Sequence, residues 1–174
     1  MRRKLLFLIF SFTALLANSS YAEDSQSFCS NYKELTISGL SYHFTERTPY
    51  AQEHGYNAFN YGLGFNCSAN KFGKWNDEIQ IGVLKNSFRE PSGIVSYGVL
   101  YPTTEFLELG VKAILASGYS QAPTNFSGLI AAPMLSAKAK ITEDVFINVS
   151  LIPSMAYSGN YVDGFVYGNL GIRF

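Results

Sequence analysis

After its first residues this 174-residue chain has no long apolar run, and it holds only two cysteines, one tryptophan and no excess of charge. The 13 basic and 13 acidic residues cancel, which gives no reason to expect nucleic acid or a polybasic membrane contact. The one compact apolar stretch, residues 5–16 (LLFLIFSFTALL), is shorter than the ~20 residues a helix needs to cross a bilayer. It follows Arg2, Arg3 and Lys4 and precedes small residues with Ser20 and Ala22 at the −3 and −1 positions of an A-x-A-like site. A basic start, a short apolar core and small residues before a cut describe a secretory signal, expected to end at Ala22, rather than an anchor. Cys29 lacks the small preceding residues of a lipidated cysteine, which argues against a lipoprotein.

What the chain does have is aromatic and glycine content: 12 Tyr, 14 Phe and 15 Gly. Strands that face lipid on one side have this composition, though a secreted β-sandwich shares some of it. The end of the chain, YGNLGIRF, puts Leu170, Ile172 and Phe174 on one strand face and Tyr167, Asn169, Gly171 and Arg173 on the other. A terminal aromatic strand of this kind resembles the signal read by the outer-membrane assembly machinery, with Gly168 one place from the usual glycine.

Beyond a polar N-terminal segment (23–34), residues 35–174 divide into stretches near the ~9–11 residues of a tilted transmembrane strand. The expected strands are 35–44, 57–68, 78–87, 94–101, 106–119, 129–141, 145–155 and 161–174. The fold class expected is therefore all-β: an eight-stranded antiparallel transmembrane β-barrel in the cell outer membrane, monomeric because closure leaves no free edge. Short connections after the even strands alternate with longer ones, 45–56 and 120–128 among them, as periplasmic turns and external loops do.

Alternation holds strand by strand. Ile79, Ile81 and Val83 oppose Glu78, Gln80, Gly82, Leu84 and Asn86; Leu107, Leu109, Val111, Ala113 and Leu115 oppose Glu108, Gly110, Lys112, Ile114 and Ala116. In the sixth strand Leu135, Ala137 and Ala139 oppose Ser136, Lys138 and Lys140. The inner-leaflet half of the interior then collects Glu78, Gln80, Glu108, Lys112, Lys138, Lys140 and Arg173, charges that must neutralise one another. Nearer the external loops lie Gly82, Leu84, Ile114 and Ala116, which form either a small apolar cavity or a plainly packed core. Pro133 and Pro153 cannot donate to a ladder and would open a gap between the sixth and seventh strands. That gap is either a lateral gateway for lipid or an ordinary bulge at the rim. Cys29 and Cys67 meet at the inner ends of the first two strands, so a disulfide between them is feasible.

His43 and Ser87 end the first and third strands on the external side. An imidazole titrating near working pH can take a proton from an attacking hydroxyl, so the pair can serve acyl transfer as well as line a rim. Ser41-Tyr42-His43-Phe44 resembles the segment that holds the essential histidine of the PagP family, the lipid A palmitoyltransferases. Lys85-Asn86-Ser87-Phe88 resembles its Lys-Asp-Ser-Trp, and Ser96-Tyr97-Gly98-Val99 its Gly-Tyr-Gly-Trp. Ala132-Pro133 and Leu151-Ile152-Pro153 resemble its proline-marked gateway. The resemblance runs over most of 35–174 and implies transfer of an acyl chain from phospholipid to the lipid A of lipopolysaccharide, with no metal or cofactor.

On that likeness the catalytic residues are His43, Ser87 and Asn86. The acyl-chain pocket is formed by Gly98 at its floor, Gly82, Leu84 and Ile114, and the gateway by Pro133 and Pro153. The chain departs from the family at Asn86, which stands for an aspartate and cannot accept a proton. Glu46, Glu53, Glu90 and Asp163 are the acids that could replace it from the rim. Phe88 and Val99 stand where the family has tryptophan, and its N-terminal amphipathic helix has no clear counterpart. The alternative function is a non-catalytic barrel that acts in surface recognition, envelope integrity or phage exclusion through its external loops.

Overall fold

A computed structural model describes residues 29–69, 71–120, 122, 128–157 and 160–174. The expected signal peptide (1–22) and the start of the polar segment (23–28) lie outside the described residues.

Eight strands carry the fold: β1 (Tyr32–His43), β2 (Phe59–Ser68), β3 (Trp75–Lys85), β4 (Pro91–Pro102), β5 (Leu107–Ala116), β6 (Ile130–Lys140), β7 (Val145–Ile152) and β8 (Phe165–Arg173). Each pairs antiparallel with the next, and β1 pairs with β8 from Glu34–Arg173 to His43–Phe165, which closes the sheet into a barrel. Closure gives every strand a hydrogen-bonded neighbour on both sides, the condition for crossing lipid with β-structure. Among the described residues no helix is long and apolar enough to cross a membrane. A short helix, α1 (Pro49–His54), lies in the first external connection, and a short hairpin, Met155–Tyr157 with Asn160–Val162, lies in the last.

The expected alternation is the observed one. Leu109, Val111, Ala113 and Leu115 point outward on β5, while Lys112 and Ala116 are buried inside. Leu35, Ile37, Leu63, Val83, Val95, Leu135, Ile147 and Leu170 extend the exposed apolar belt around the wall. Such a surface is stable only against hydrocarbon, so the belt faces lipid. Three of the boundaries that differ from expectation bear on the site. β3 stops at Lys85, leaving Ser87 in a turn; β7 stops at Ile152, leaving Pro153 just past its end; and β1 begins at Tyr32, which brings Glu34 inside. The pattern overran β3 and β7, which end with their last ladder pairs, and fell short of β1, which starts inside a polar run.

The inner-leaflet half of the lumen is filled by an ion network. Glu78, fully buried, meets both Lys112 and Lys138 and accepts from the Tyr32 hydroxyl at 2.5 Å. Glu34 accepts from Lys138, Asn66 and Asn148, each at 3.1 Å. The Arg173 guanidinium lies between the rings of Tyr32 and Phe146, 4.2 and 4.1 Å from their centroids, with Nη2 3.9 Å from Glu34. With Glu108 beside them, three carboxylates balance three cations, the arrangement that makes buried charge tolerable. Below the network Cys29 and Cys67 form a disulfide with Cα atoms 5.1 Å apart, which ties the segment before β1 to the inner end of β2.

Candidate functional site

The external mouth is built from β1 upward. Glu34, Thr36 and Ser38 are buried and alternate with exposed neighbours, but Ser41 is buried too, one step out of phase. The shift occurs between Ser38 and Leu40, where the β1–β8 ladder passes from Ser38–Asn169 to Leu40–Gly168 and leaves Gly39 without a partner. An extra residue of this kind is a β-bulge, and it re-aims every side chain beyond it. Without it His43 would point into lipid.

With it, His43 Nε2 comes to 2.8 Å from the Oγ of Ser87 in the β3–β4 turn. Ser41 Oγ lies 3.5 Å from Ser87 Oγ and donates to the carbonyl of Asn57 at 3.3 Å. The imidazole is stacked between Tyr56, at 3.7 Å and 18°, and Phe165, at 4.8 Å and 25°. Its Nδ1 is buried with no hydrogen-bond partner. A histidine that serves as base toward a serine needs its far nitrogen held as N–H by an acceptor. No such acceptor reaches Nδ1. A proton on Nε2, donated to Ser87, leaves a bare ring nitrogen inside rather than an orphaned N–H.

The two groups best placed to orient His43 are engaged elsewhere. Asn86 organises its own turn: Oδ1 accepts from the backbone N–H of Phe88 (2.9 Å) and Glu90 (3.0 Å), and Nδ2 donates to the Gly118 carbonyl at 2.6 Å. Asp163, just before β8, accepts from Thr45 Oγ1 (2.5 Å), the Arg47 N–H (2.8 Å), the Thr48 N–H (3.4 Å) and the Tyr56 hydroxyl (2.8 Å). Burial raises the Asp163 pKa, but these hydrogen bonds outweigh it and hold the carboxyl below the usual aspartate range. Burial also lifts the Tyr56 phenol above its ordinary range, so its hydroxyl stays a donor. Of the four candidate acids, then, Asp163 is the one next to the histidine, but it holds the first external loop.

Similar ties join the other loops. Arg89, in a left-handed conformation (φ 64°) that costs a non-glycine residue energy, donates from Nη1 to Tyr50 Oη (3.2 Å) and the Gly55 carbonyl (3.3 Å). Its Nη2 reaches the His54 carbonyl at 3.4 Å, which caps the open end of α1. Glu90 binds the backbone N–H of Ser120 at 3.0 Å and its hydroxyl. Asp163, Arg89, Glu90 and Asn86 thus tie the four external connections into one cap. Beneath it the cavity bordered by His43, Thr48, Tyr56, Phe88, Tyr119 and Phe165 measures about 20 Å³, the room of roughly one water.

The remaining expected site residues are spread over the barrel, the glycines, Leu84 and Ile114 within it and the exposed Pro133 and Pro153 on its outside. Ile114 packs with Phe165 and Met155 against the buried Ala132, Met134 and Ile152. Gly82 faces Gly64 across β2–β3, with Ile94 beside it, and Leu84 pairs with Gly62 two rungs higher. Gly98 sits where the Lys112 side chain crosses β4: a Cβ there would come within 2.6 Å of Lys112 Cγ and 2.1 Å of the Val111 carbonyl oxygen. Pro133 lies within β6 opposite Ala113 of β5, and Pro153 follows β7. The β6–β7 ladder ends at Leu135–Leu151, so residues 130–134 of β6 run past it. Tyr56, Phe165, Tyr32 and Glu34 were not singled out from the sequence. Only Glu34 left a signal there, in its alternation with Thr36 and Ser38.

No protein-family model matches the chain, and no curated protein matches it. Among solved structures it is similar to the Yersinia pestis outer membrane protein Ail in a phospholipid bilayer nanodisc, at 12% identity over 82% of this chain and 99% of that one, TM-score 0.47. It is also similar to crystal structures of Ail, the attachment invasion locus protein of Yersinia pestis, alone (12% identity, 82% and 97% covered, TM-score 0.37) and in complex with the heparin analogue sucrose octasulfate (11%, 82% and 97%, TM-score 0.38). Likenesses at that level carry no functional argument, and the PagP resemblance remains one of local motifs. On its own closed register and lipid-facing belt, the chain is an eight-stranded outer-membrane β-barrel.

Proposed function

We propose that this barrel acts through surface recognition by its external cap, without catalysis. The observation that supports this most is the roughly one-water space left beside His43 under four mutually tied loops. A site that must admit an ester linkage needs room at the reacting atoms, whereas a recognition surface gains from loops ordered before the partner arrives. The test replaces residues 45–56 with a short glycine–serine turn and compares phage adsorption and bile-salt sensitivity with those of cells carrying the intact protein. Lost adsorption at equal bile-salt resistance is expected, with the His43→Phe protein behaving as wild type. Raised bile-salt sensitivity alone points to envelope integrity instead, and no change in either assay ends this reading.

Acyl transfer is the second reading, favoured by the 2.8 Å His43–Ser87 contact and by the β6 stretch beyond the ladder near Pro133 and Pro153. There His43 would take the proton of the attacking lipid A hydroxyl while Ser87 hydrogen-bonds the ester. The new ester would form as the lysophospholipid alkoxide leaves and recovers that proton. Phospholipid and lipopolysaccharide would be its partners. Lipid A mass spectrometry in cells lacking an endogenous palmitoyltransferase decides it: one added acyl chain, lost in His43→Ala, establishes the transferase. An unchanged spectrum with a folded barrel removes it.

A further inference from the structure

We infer that the first external connection is a lid and that Tyr56 is its plug, closing a ring-sized recess with aromatic walls over His43. The Tyr56 ring lies 3.7 Å from that of His43 at 18°, the closest stacking in the mouth, and meets Phe88 edge-on at 5.4 Å. Phe165 closes the opposite side of His43, and Phe88 packs edge-on against Tyr119 at 5.8 Å. Removing one ring from such a box leaves a slot with aromatic walls.

Beside this ring packing, what fixes the plug is local and polar. The Tyr56 hydroxyl is fixed only from the lid side and its anchor, by Thr48 Oγ1 at 3.0 Å and Asp163 Oδ2 at 2.8 Å. Asp163 takes three further bonds from Thr45, Arg47 and Thr48, all in the same connection. One carboxylate therefore fastens residues 45–56 to the β8 side of the mouth. Segments held by a few polar contacts open at a fraction of the global unfolding cost. Releasing Asp163 would free Thr45–Thr48 and the Tyr56 hydroxyl from the β8 side, so that the connection swings on its Arg89 and Tyr50 ties to the β3–β4 turn while the barrel below keeps its ladder. This goes beyond surface recognition by a fixed cap, because it requires the cap to open.

The chain provides its own control, since it has two histidines: His43 under the lid and His54 exposed on α1. The experiment treats the full-length barrel in lipid vesicles with diethylpyrocarbonate at neutral pH and follows modification of each histidine by peptide mass spectrometry. In the wild type His54 reacts and His43 is protected. In Asp163→Ala and in Tyr56→Ala the His43 rate, taken relative to His54, rises by about tenfold or more, because opening then no longer limits access. Tyr56→Phe keeps the ring, loses both hydroxyl bonds and falls between. Heat-modifiable migration verifies that each variant is a folded barrel. His43 reacting as fast as His54 in the wild type overturns the lid. Equal protection in wild type, Asp163→Ala and Tyr56→Ala overturns both lid and plug, and opening by Asp163→Ala without opening by Tyr56→Ala overturns the plug.

Discussion

His43 and Ser87, 44 residues apart in sequence, meet at 2.8 Å inside the barrel because Gly39 is bulged out of the β1–β8 ladder. The contact by itself does not distinguish chemistry from packing. The ring faces do: Tyr56 and Phe165 cover both of them. If the histidine is chiefly a stacked wall, His43→Phe keeps thermal stability close to wild type. His43→Ala then loses roughly 3 kcal/mol, the low end for truncating a packed ring. Urea unfolding in vesicles checks this; a His43→Phe barrel as weak as His43→Ala means the Ser87 hydrogen bond, not the ring, carries the position.

The ion network predicts an asymmetric response. Glu78 neutralises two lysines at once, so Glu78→Ala leaves Lys112 and Lys138 with one buried carboxylate partner, Glu34, between them. Breaking a buried pair from one side costs roughly 3–5 kcal/mol. The double variant Glu78→Leu, Lys112→Met removes one charge of each sign and recovers most of that loss. Equal unfolding midpoints for Glu78→Ala and wild type would show that water reaches the network and screens it.

Gly98 separates the two functional readings. A Cβ there collides with the Val111 carbonyl and the Lys112 stem, whereas at Gly168 the nearest atom is 3.9 Å away. Gly98→Ala is expected to destabilise the barrel by about 1–3 kcal/mol, the range for overpacking, and Gly168→Ala to leave it unchanged. A Gly98→Ala protein of normal stability that shortens a transferred acyl chain would instead support the chain-length gauge.

How far the sequence reaches follows from what each feature depends on. The eight strands were legible because lipid outside and a polar lumen inside impose a period of two on every strand, and Ile79–Ile81–Val83 or Leu107–Leu109–Val111 show it directly. Glu34 was missed because the expected strand began three residues late, behind a polar run. The bulge was not legible: Gly39 is one glycine among 15, and nothing local says which one leaves the ladder. Nor could Asp163 be chosen over Glu46, Glu53 or Glu90. That choice depends on the first loop folding back over the mouth to reach the last one, a contact 118 residues apart between Thr45 and Asp163.

The Asp163 latch gives the cap a pH dependence with a definite sign. Its folded pKa lies below the ordinary 3.8, with burial opposing and the bonds from Thr45, Tyr56, Arg47 and Thr48 prevailing. A depressed carboxyl stabilises the folded state above its unfolded pKa and loses that contribution as pH falls through the folded value. The groups that face it are those four donors and, from β1, His43, whose protonation in acid would favour the charged carboxylate and so delay the loss. The cap is therefore constant from neutral pH down to about the ordinary aspartate range and loosens only in stronger acid. Amide proton shifts of Arg47 and Thr48, both donors to Asp163 Oδ2, report this directly. They should titrate together below that range, and Asp163→Asn should abolish the titration. Shifts that move near neutrality, or that persist in Asp163→Asn, would assign the acid response to another group and leave the carboxylate as a bond donor's partner without a switching role.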